Sequence, residues 1–475
     1  MICVGTGYKR TTVINDYILA CKAKGCDFVS IADQYSQAAL PSVSIVITYK
    51  DSTTATAAGD SLVGGRDLKC WYVVKTKPFL LSIILVLLTL EDSFERWIRA
   101  VKYVDEFAVI LLFLYYLAEL LVVRKIRKQD SRIVVLTIIL LAIGLAGNHV
   151  SGIQPDIKLQ VFDAFNMFKF VAAILGGQMV FNHYRHKELL LEYIARAIKC
   201  LICISTVFLV INLFADIGMH TDYRYGLRAY KFIFTRVGDF YSACVIWIII
   251  LTASMFYNKS RRMPVYIVLA IVNMCSTLRS RAFGFALLYV IVFYAFIVRK
   301  EKSFRWWYSL FFLILSYSIA ADQFNFYFSG NRARRVLLKY GILTARLYFP
   351  YGSGFATYGT AIAQRYYSPL YYKYGFPLYW GLSPDYRAFL TDDFWPAVMA
   401  ELGMPGIAFM AALLILVILK TVGMTDNQYS KVCVYFGFGT LLMSSLIASS
   451  FFSCTTLVIF MCLTSRLDSN IYKSV

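Results

Sequence analysis

The chain has 475 residues, 59% of them hydrophobic and 16% charged, with a mean hydropathy of +0.61; a soluble domain carries roughly 45–50% apolar and about 25% charged residues. That balance excludes a soluble globular protein and predicts an all-α polytopic membrane protein. The formal net charge of +20 fits basic cytoplasmic loops and a taste for anionic lipid or a pyrophosphate substrate, and no nucleic-acid-binding module is evident, so nucleic acid is not an expected partner.

Residues 1–70 are mixed polar, without the charged, apolar and cleavage regions of a signal peptide. They read as a cytoplasmic segment of unassigned role, with a strand over Pro41–Ile47. From Trp71 onward apolar runs recur at the length of a membrane span, about 20 residues. Spans are predicted to start near Trp71, Phe107, Ile133, Phe165, Leu201, Tyr241, Val265, Phe283, Trp307, Pro396, Val432 and Ser449. The last two form one run, Val432–Leu463, which the serine pairs at 444–445 and 449–450 divide by a turn. The count is twelve, with eleven as the alternative. Residues 71–320 then hold spans one to nine, 321–394 form one long loop, and 395–475 hold spans ten to twelve with a short tail.

Basic clusters follow the second, fourth, sixth and eighth spans, at 124–128, 183–199, 259–262 and 299–302. The positive-inside rule makes that side cytoplasmic, and both termini with it. Three arginine-bearing segments, 217–239, 276–281 and 321–394, then face outward against the same rule. In the first, Arg224 and Arg228 are four apart and would share a helical face. The second carries Arg279 and Arg281 at the mouth of the eighth span, where charge is costly unless paired or wet.

The third, 321–394, holds twelve tyrosines, eight Lys or Arg and four Asp. Connections that long are functional or disordered, and one so aromatic is expected to fold. Arg332, Arg334 and Arg335 lie near its start. A glycine-rich turn spans 349–359, without the lysine of a P-loop. Tyr366, Tyr367, Tyr371 and Tyr372 offer flat faces on which sugar rings could stack. Asp392 and Asp393 close the segment at the start of the tenth span, in the place of helix-capping acids. Glu401 lies about two turns inside that span, where a charge costs about 2.5–3.5 kcal/mol; it is expected to pair with an outer-face arginine.

The eleven cysteines lie mostly in the N-terminal tail or in apolar spans, without zinc-type spacing. The four histidines form no catalytic order. No metal and no cofactor are expected.

The outer arginine segment, the Thr277-x-Arg279-Ser280-Arg281 turn, the Pro350-x-Gly-Ser-Gly-Phe355 turn, Asp392 and Glu401-x-Gly403-x-x-Gly406 together resemble the bacterial O-antigen ligase and O-antigen or capsule polymerase superfamily. The resemblance covers roughly residues 71–463, mostly as hydropathy. It implies a C-type glycosyltransferase fold in the bacterial cytoplasmic membrane, metal-independent and with no nucleotide sugar. The donor would be an undecaprenyl-pyrophosphate-linked glycan, with a flippase and a chain-length regulator as partners. Asp392 occupies the position where ligases of this kind carry a histidine, which favours a polymerase over a lipid A-core ligase. On this reading Arg228 and Arg279, then Arg224, Arg281 and Arg334, stabilise the departing pyrophosphate. Asp392 activates or orients the acceptor hydroxyl, the four tyrosines hold sugar rings, and Glu401 positions an arginine. The competing classes are a polysaccharide flippase or other secondary transporter, and a structural membrane protein. Transporters tend to show repeats and interrupted helices at the midplane, and no internal repeat is present here.

Overall fold

The computed structural model describes residues 76–94, 101, 103–123, 127–184, 186–258, 260–305, 307–308, 310–311, 314, 330 and 332–468. The chain divides into two units, Met1–Phe79 and Leu80–Val475, and the architecture below is that of the second. The N-terminal strand, the start of the first predicted span, most of the ninth and the opening of the long segment at 321–329 lie outside the described residues.

The helices in chain order are α1 (Thr76–Thr89), α2 (Glu91–Phe94), α3 (Val104–Val123), α4 (Lys128–Ser151), α5 (Ile157–His183), α6 (Lys187–Phe214), α7 (Val237–Tyr257), α8 (Met263–Cys275) and α9 (Ser280–Phe293), the last continued by a π turn over Tyr294–Val298. They are followed by α10 (Ala333–Leu347), α11 (Ala361–Tyr366), α12 (Pro369–Lys373), α13 (Phe394–Gly423), α14 (Gln428–Ser445) and α15 (Thr455–Thr464). An antiparallel hairpin, β1 (His220–Arg224) and β2 (Leu227–Tyr230), joins α6 to α7.

Among the described residues, six helices are long and apolar enough to cross a membrane: α4, α5, α6, α7, α9 with its π turn, and α13. Shorter apolar helices include α8 and α15. Large apolar side chains stay exposed along the outer faces of these helices, among them Leu114, Leu121, Ile138, Val207, Val268 and Ile415. Exposed apolar belts of this kind mark a surface that meets lipid, and the protein is a helical membrane protein.

The core follows from composition. α7 is apolar all round, and a helix of that kind belongs at the centre; nearly every position from Ala243 to Ser254 is buried. α6, α8, α14 and α15 pack around it. α5 packs against α3 and α15, and α13 lies between α4 and α10. The serine-marked turn predicted inside Val432–Leu463 is present, since α14 ends at Ser445 and α15 begins at Thr455.

Charges within apolar helices are paired, as low dielectric demands. Lys169 of α5 donates to Asp105 at 2.8 Å and Glu106 at 3.3 Å. Lys420 of α13 meets Asp130 of α4 at 2.6 Å.

Segment 332–394 is folded, as its aromatic content predicts. Its own core gathers Leu337, Tyr358, Tyr367, Tyr371, Tyr374 and Phe376, separate from the core of the helical bundle. Tyr371 stacks on Phe376 with ring centroids 5.1 Å apart. Offset stacking and edge-on contact each contribute about 0.5–1.5 kcal/mol beyond area burial.

Candidate functional site: an arginine and aspartate cluster beside a docked loop

The glycine-rich turn after α10 is not a free phosphate cradle. It is inserted among α4, α5 and α13. α13 is broken at Gly403, whose φ of 70° and ψ of −172° leave the helical region. Pro405 has no N–H to return to the carbonyl four residues back. The carbonyls of Ala400 and Glu401 are therefore released from the helix. Ser353 N–H donates to Ala400 at 2.8 Å and Gly354 N–H to Glu401 at 2.9 Å. In an apolar phase an unfilled carbonyl costs several kcal/mol, so the break and the turn belong together. The fit leaves no room for a side chain: a Cβ on Gly403 would collide with the Pro350 carbonyl, and one on Gly352 with the Gly403 amide.

Side chains from distant helices complete the docking. Asn148 of α4 donates to the Phe355 carbonyl at 2.9 Å and accepts from its N–H at 2.8 Å, as a neighbouring strand would. Asp163 of α5 accepts from Ala356 N–H at 2.8 Å. Glu401 accepts from the N–H groups of Thr357 and Tyr358, each at 2.9 Å, and from the Thr360 hydroxyl at 3.4 Å. Asp163 and Glu401 are fully buried and hydrogen-bonded to each other. Two carboxyl groups in that relation must share a proton. The expected arginine partner for Glu401 is thus replaced by backbone N–H groups, which satisfy a buried carboxylate without a second buried charge. Glu401 holds the turn.

Gly403→Ala is expected to undock the turn, whereas Gly423→Ala, at the far end of α13 with open space around it, leaves it in place. Limited proteolysis within 349–360 would show the difference; equal resistance in both variants would reject the docking.

The arginines fall into two groups. In the first, Asp222 of β1 accepts from Arg224 at 2.9 Å and from Arg279 at 3.1 Å. Burial pushes its carboxyl up, but hydrogen bonds from Thr221 and Arg224 and the charge of Arg279 outweigh that and hold it below the ordinary value. Arg228 is elsewhere. The segment is a hairpin and not a helix, with Arg224 opposite Leu227 and Tyr223 opposite Arg228. Neighbours alternate faces along a strand, so Arg224 and Arg228 point to opposite sides. Arg228 donates instead to the Asn212 carbonyl near the end of α6, at 2.8 Å. The turn residues explain the shape: Tyr225 and Gly226 both have positive φ, the signature of a two-residue type I′ hairpin turn.

The second group surrounds the start of α13. Arg334 of α10 meets Asp392 at 3.5 Å. Burial raises Asp392 above the ordinary carboxylate range, against the charges of Arg334, Arg281 and Arg236. Burial pushes Asp393 up to about 7, against Arg334 and Arg281, with the charge of Asp392 adding to the rise. Arg281 lies over the Tyr241 ring, 5.7 Å from its centroid. Asp392 keeps about 30% of its side chain exposed, while Asp393 is buried behind it. The structure thus brings together Arg281, Arg334 and Asp392 with Arg236, from the outer arginine segment, and Asp393, whose sequence position suggested only a helix cap. A partly exposed carboxyl held above its ordinary range, as Asp392 is, can take a proton from a hydroxyl, and the guanidinium groups beside it can hold an anion.

The tyrosines divide as well. Tyr366 and Tyr372 are exposed and can receive a flat ligand. Tyr367 and Tyr371 belong to the loop core and cannot. The Tyr367 hydroxyl donates to the Leu382 carbonyl at 2.8 Å, and the Tyr371 oxygen accepts from Gly359 N–H at 2.8 Å. Tyr371→Phe would leave that buried N–H without an acceptor, at a cost of about 1–3 kcal/mol, while Tyr372→Phe is expected to leave thermal unfolding unchanged. Equal melting of the two variants would contradict the division.

Among the described residues no group of three or more His, Cys, Asp or Glu is arranged to hold a metal ion. The chain matches no protein-family model, no curated protein and no solved structure.

Proposed function

We propose that the chain is a membrane glycosyltransferase of the polymerase or ligase type. It transfers an undecaprenyl-pyrophosphate-linked glycan to a sugar hydroxyl at the outer side of the bacterial cytoplasmic membrane. Twelve spans with both termini cytoplasmic and a C-type fold belong to this reading. The observation that carries it is the Asp392–Asp393 pair ringed by Arg334, Arg281 and Arg236. Support for the sidedness comes from contacts between connections. The hairpin meets the α8–α9 turn through Arg279 and Asp222, the α4–α5 turn meets the docked loop through Ser151 and Ser353, and the basic connections follow the opposite helix ends.

The acceptor hydroxyl attacks the anomeric carbon, its proton passes to Asp392, and undecaprenyl pyrophosphate leaves with the bond electrons. The leaving group gathers negative charge, so the arginines act on the transition state. Arg281 and Arg334 are the first to face it, Arg236 the next. Arg224 and Arg279 are tied to Asp222, and Arg228, turned toward α6, has the weakest claim. Tyr366 and Tyr372 supply the exposed stacking faces.

The broken helix α13 is the feature that favours a transporter, because such proteins use interrupted helices. Here, however, the break is closed by hydrogen bonds from Ser353 and Gly354 to the freed carbonyls. An assay with purified protein and lipid-linked repeat units separates the readings: a transferase lengthens or hands over the glycan, and a transporter moves it unchanged. Arg281→Ala is expected to slow lengthening by about 10²–10³-fold, the usual loss for one such donor. Unchanged chain length in Arg281→Ala and Arg334→Ala would reject the proposal.

A further inference from the structure

α10 does not stop at the membrane surface. It packs against α13, and close approaches fix its level. Gly341 lies against Pro396, where a Cβ would come within 3.0 Å of the proline carbonyl, and Pro350 lies against Gly403. By Gly359 the chain is back beside Ala397. The stretch of α13 from Pro396 to Gly403 is about 10 Å long. α10 and the docked turn therefore dip into the layer that α13 is long and apolar enough to cross, and return on the same side.

One face of α10 takes no part in that packing. Arg335, Lys339, Leu343, Arg346 and Leu347 recur at helical spacing; all are exposed, and Phe349 continues them. α10 carries no acidic residue. Among the described residues none of the three cations is in an ion pair. Arg335 donates to the Gly330 carbonyl at 3.3 Å, and the Lys339 ammonium lies 5.3 Å from the Tyr340 ring centroid. Leu343, Leu347 and Phe349 fall between the levels of Pro396 and Gly403, in the apolar layer. Arg335 and Lys339 stand nearer the surface. Arg346 starts from the apolar level, but helical side chains lean toward the N-terminus, which here is the membrane surface. Its guanidinium can thus reach upward along the stem, toward Lys339.

Cations at the surface above an apolar flank complement a phosphate joined to acyl chains. We propose that this face of α10 is a docking site for an anionic phospholipid. Lys339 and Arg346 hold the phosphate, with Arg335 adding its charge, and an acyl chain lies along Leu343, Leu347 and Phe349. The lipid carrier of the reaction above is not the occupant. Its pyrophosphate has to meet Arg334, which leaves α10 from the buried face toward Asp392. The site stands whether or not the chain transfers glycan.

The test is native mass spectrometry of the purified full-length protein in neutral detergent, titrated with dioctanoyl phosphatidylglycerol and, separately, with the matched phosphatidylcholine. Phosphatidylglycerol is expected to bind about tenfold or more tightly, since each surface cation contributes severalfold. Lys339→Gln/Arg346→Gln should abolish that preference, and Arg261→Gln/Arg262→Gln, an exposed pair outside α10, should keep it. Thermal unfolding checks the variants; if the α10 pair does not fold, Arg346→Gln alone, with an expected loss of about fivefold, decides. Equal binding of the two lipids, or a preference undiminished in the α10 variants, overturns the site. A preference lost equally in Arg261→Gln/Arg262→Gln would assign it to bulk charge. Displacement of the lipid by an equal concentration of inorganic phosphate would remove the acyl chain from the account. Displacement by undecaprenyl phosphate at a lower concentration than phosphatidylglycerol itself needs would give the face to the carrier, and each of these results rejects the proposal.

Discussion

Glu401→Ala is expected to unfold the docked loop, while Glu401→Gln leaves it close to native. The alanine removes the acceptor for two buried backbone N–H groups and the Thr360 hydroxyl. Each orphaned donor costs about 1–3 kcal/mol, so the loss is several kcal/mol and exceeds a typical single-mutant effect. Glutamine keeps an acceptor oxygen for the same donors. Its amide N–H also replaces the proton shared with Asp163, because an amide can donate where a carboxylate cannot. Asp163→Asn should be tolerated for the same reason, and the double variant Asp163→Asn/Glu401→Gln less so, since two amides need a different arrangement of donors. Thermal unfolding and proteolysis within 349–360 report the docking. Should Glu401→Gln melt as early as Glu401→Ala, the shared-proton description fails. Should it melt normally yet lose all glycan lengthening, Glu401 would be meeting substrate and not merely holding the turn.

The sequence was most legible where one helix answers to one apolar run. The runs beginning near Ile133, Phe165, Leu201, Tyr241 and Val265 lie in α4 to α8, and the one near Pro396 lies in α13. The aromatic segment folded because its tyrosines and phenylalanines are numerous enough to form a core of their own. The meaning of its motif was hidden. The glycines at 352, 354 and 403 serve a close approach between backbone segments, and the partners that complete it, Asn148 and Asp163, are 207 and 193 residues from their acceptors and donors in the turn. No local pattern reports such a contact. Arg224 and Arg228 were misread for a local reason. A spacing of four suits a helix, but alternation across a Tyr-Gly turn suits a hairpin, and Gly226 was the signal for it. Lys169 and Lys420 carried a readable signal, a charge inside an apolar run, that points to the acids beside them.

Asp392→Asn is expected to lower glycan lengthening by about 10²–10⁴-fold, the range for a lost general base, whereas Asp393→Asn should keep activity and change its dependence on pH. Burial pushes Asp393 up to about 7. Its ionisation places a second negative charge beside Asp392, which makes Asp392 a better base, so the wild-type rate should rise as pH passes through 7. Asparagine at 393 cannot ionise, and that rise should vanish. Arg334 is the largest influence lowering Asp393; Arg334→Ala is therefore expected to move the rise to higher pH. Linkage gives an independent check with the opposite slope. The folded state holds the Asp393 proton more tightly than an unfolded chain with the ordinary value of 3.8. Its contribution to stability is full below that value and is lost as pH climbs through about 7. Wild-type protein should thus lose stability as pH climbs from about 4 toward 7 and level off as activity rises, and Asp393→Asn should flatten both curves. A lengthening rate that still rises through pH 7 in Asp393→Asn would assign the titration to another group and remove Asp393 from the site.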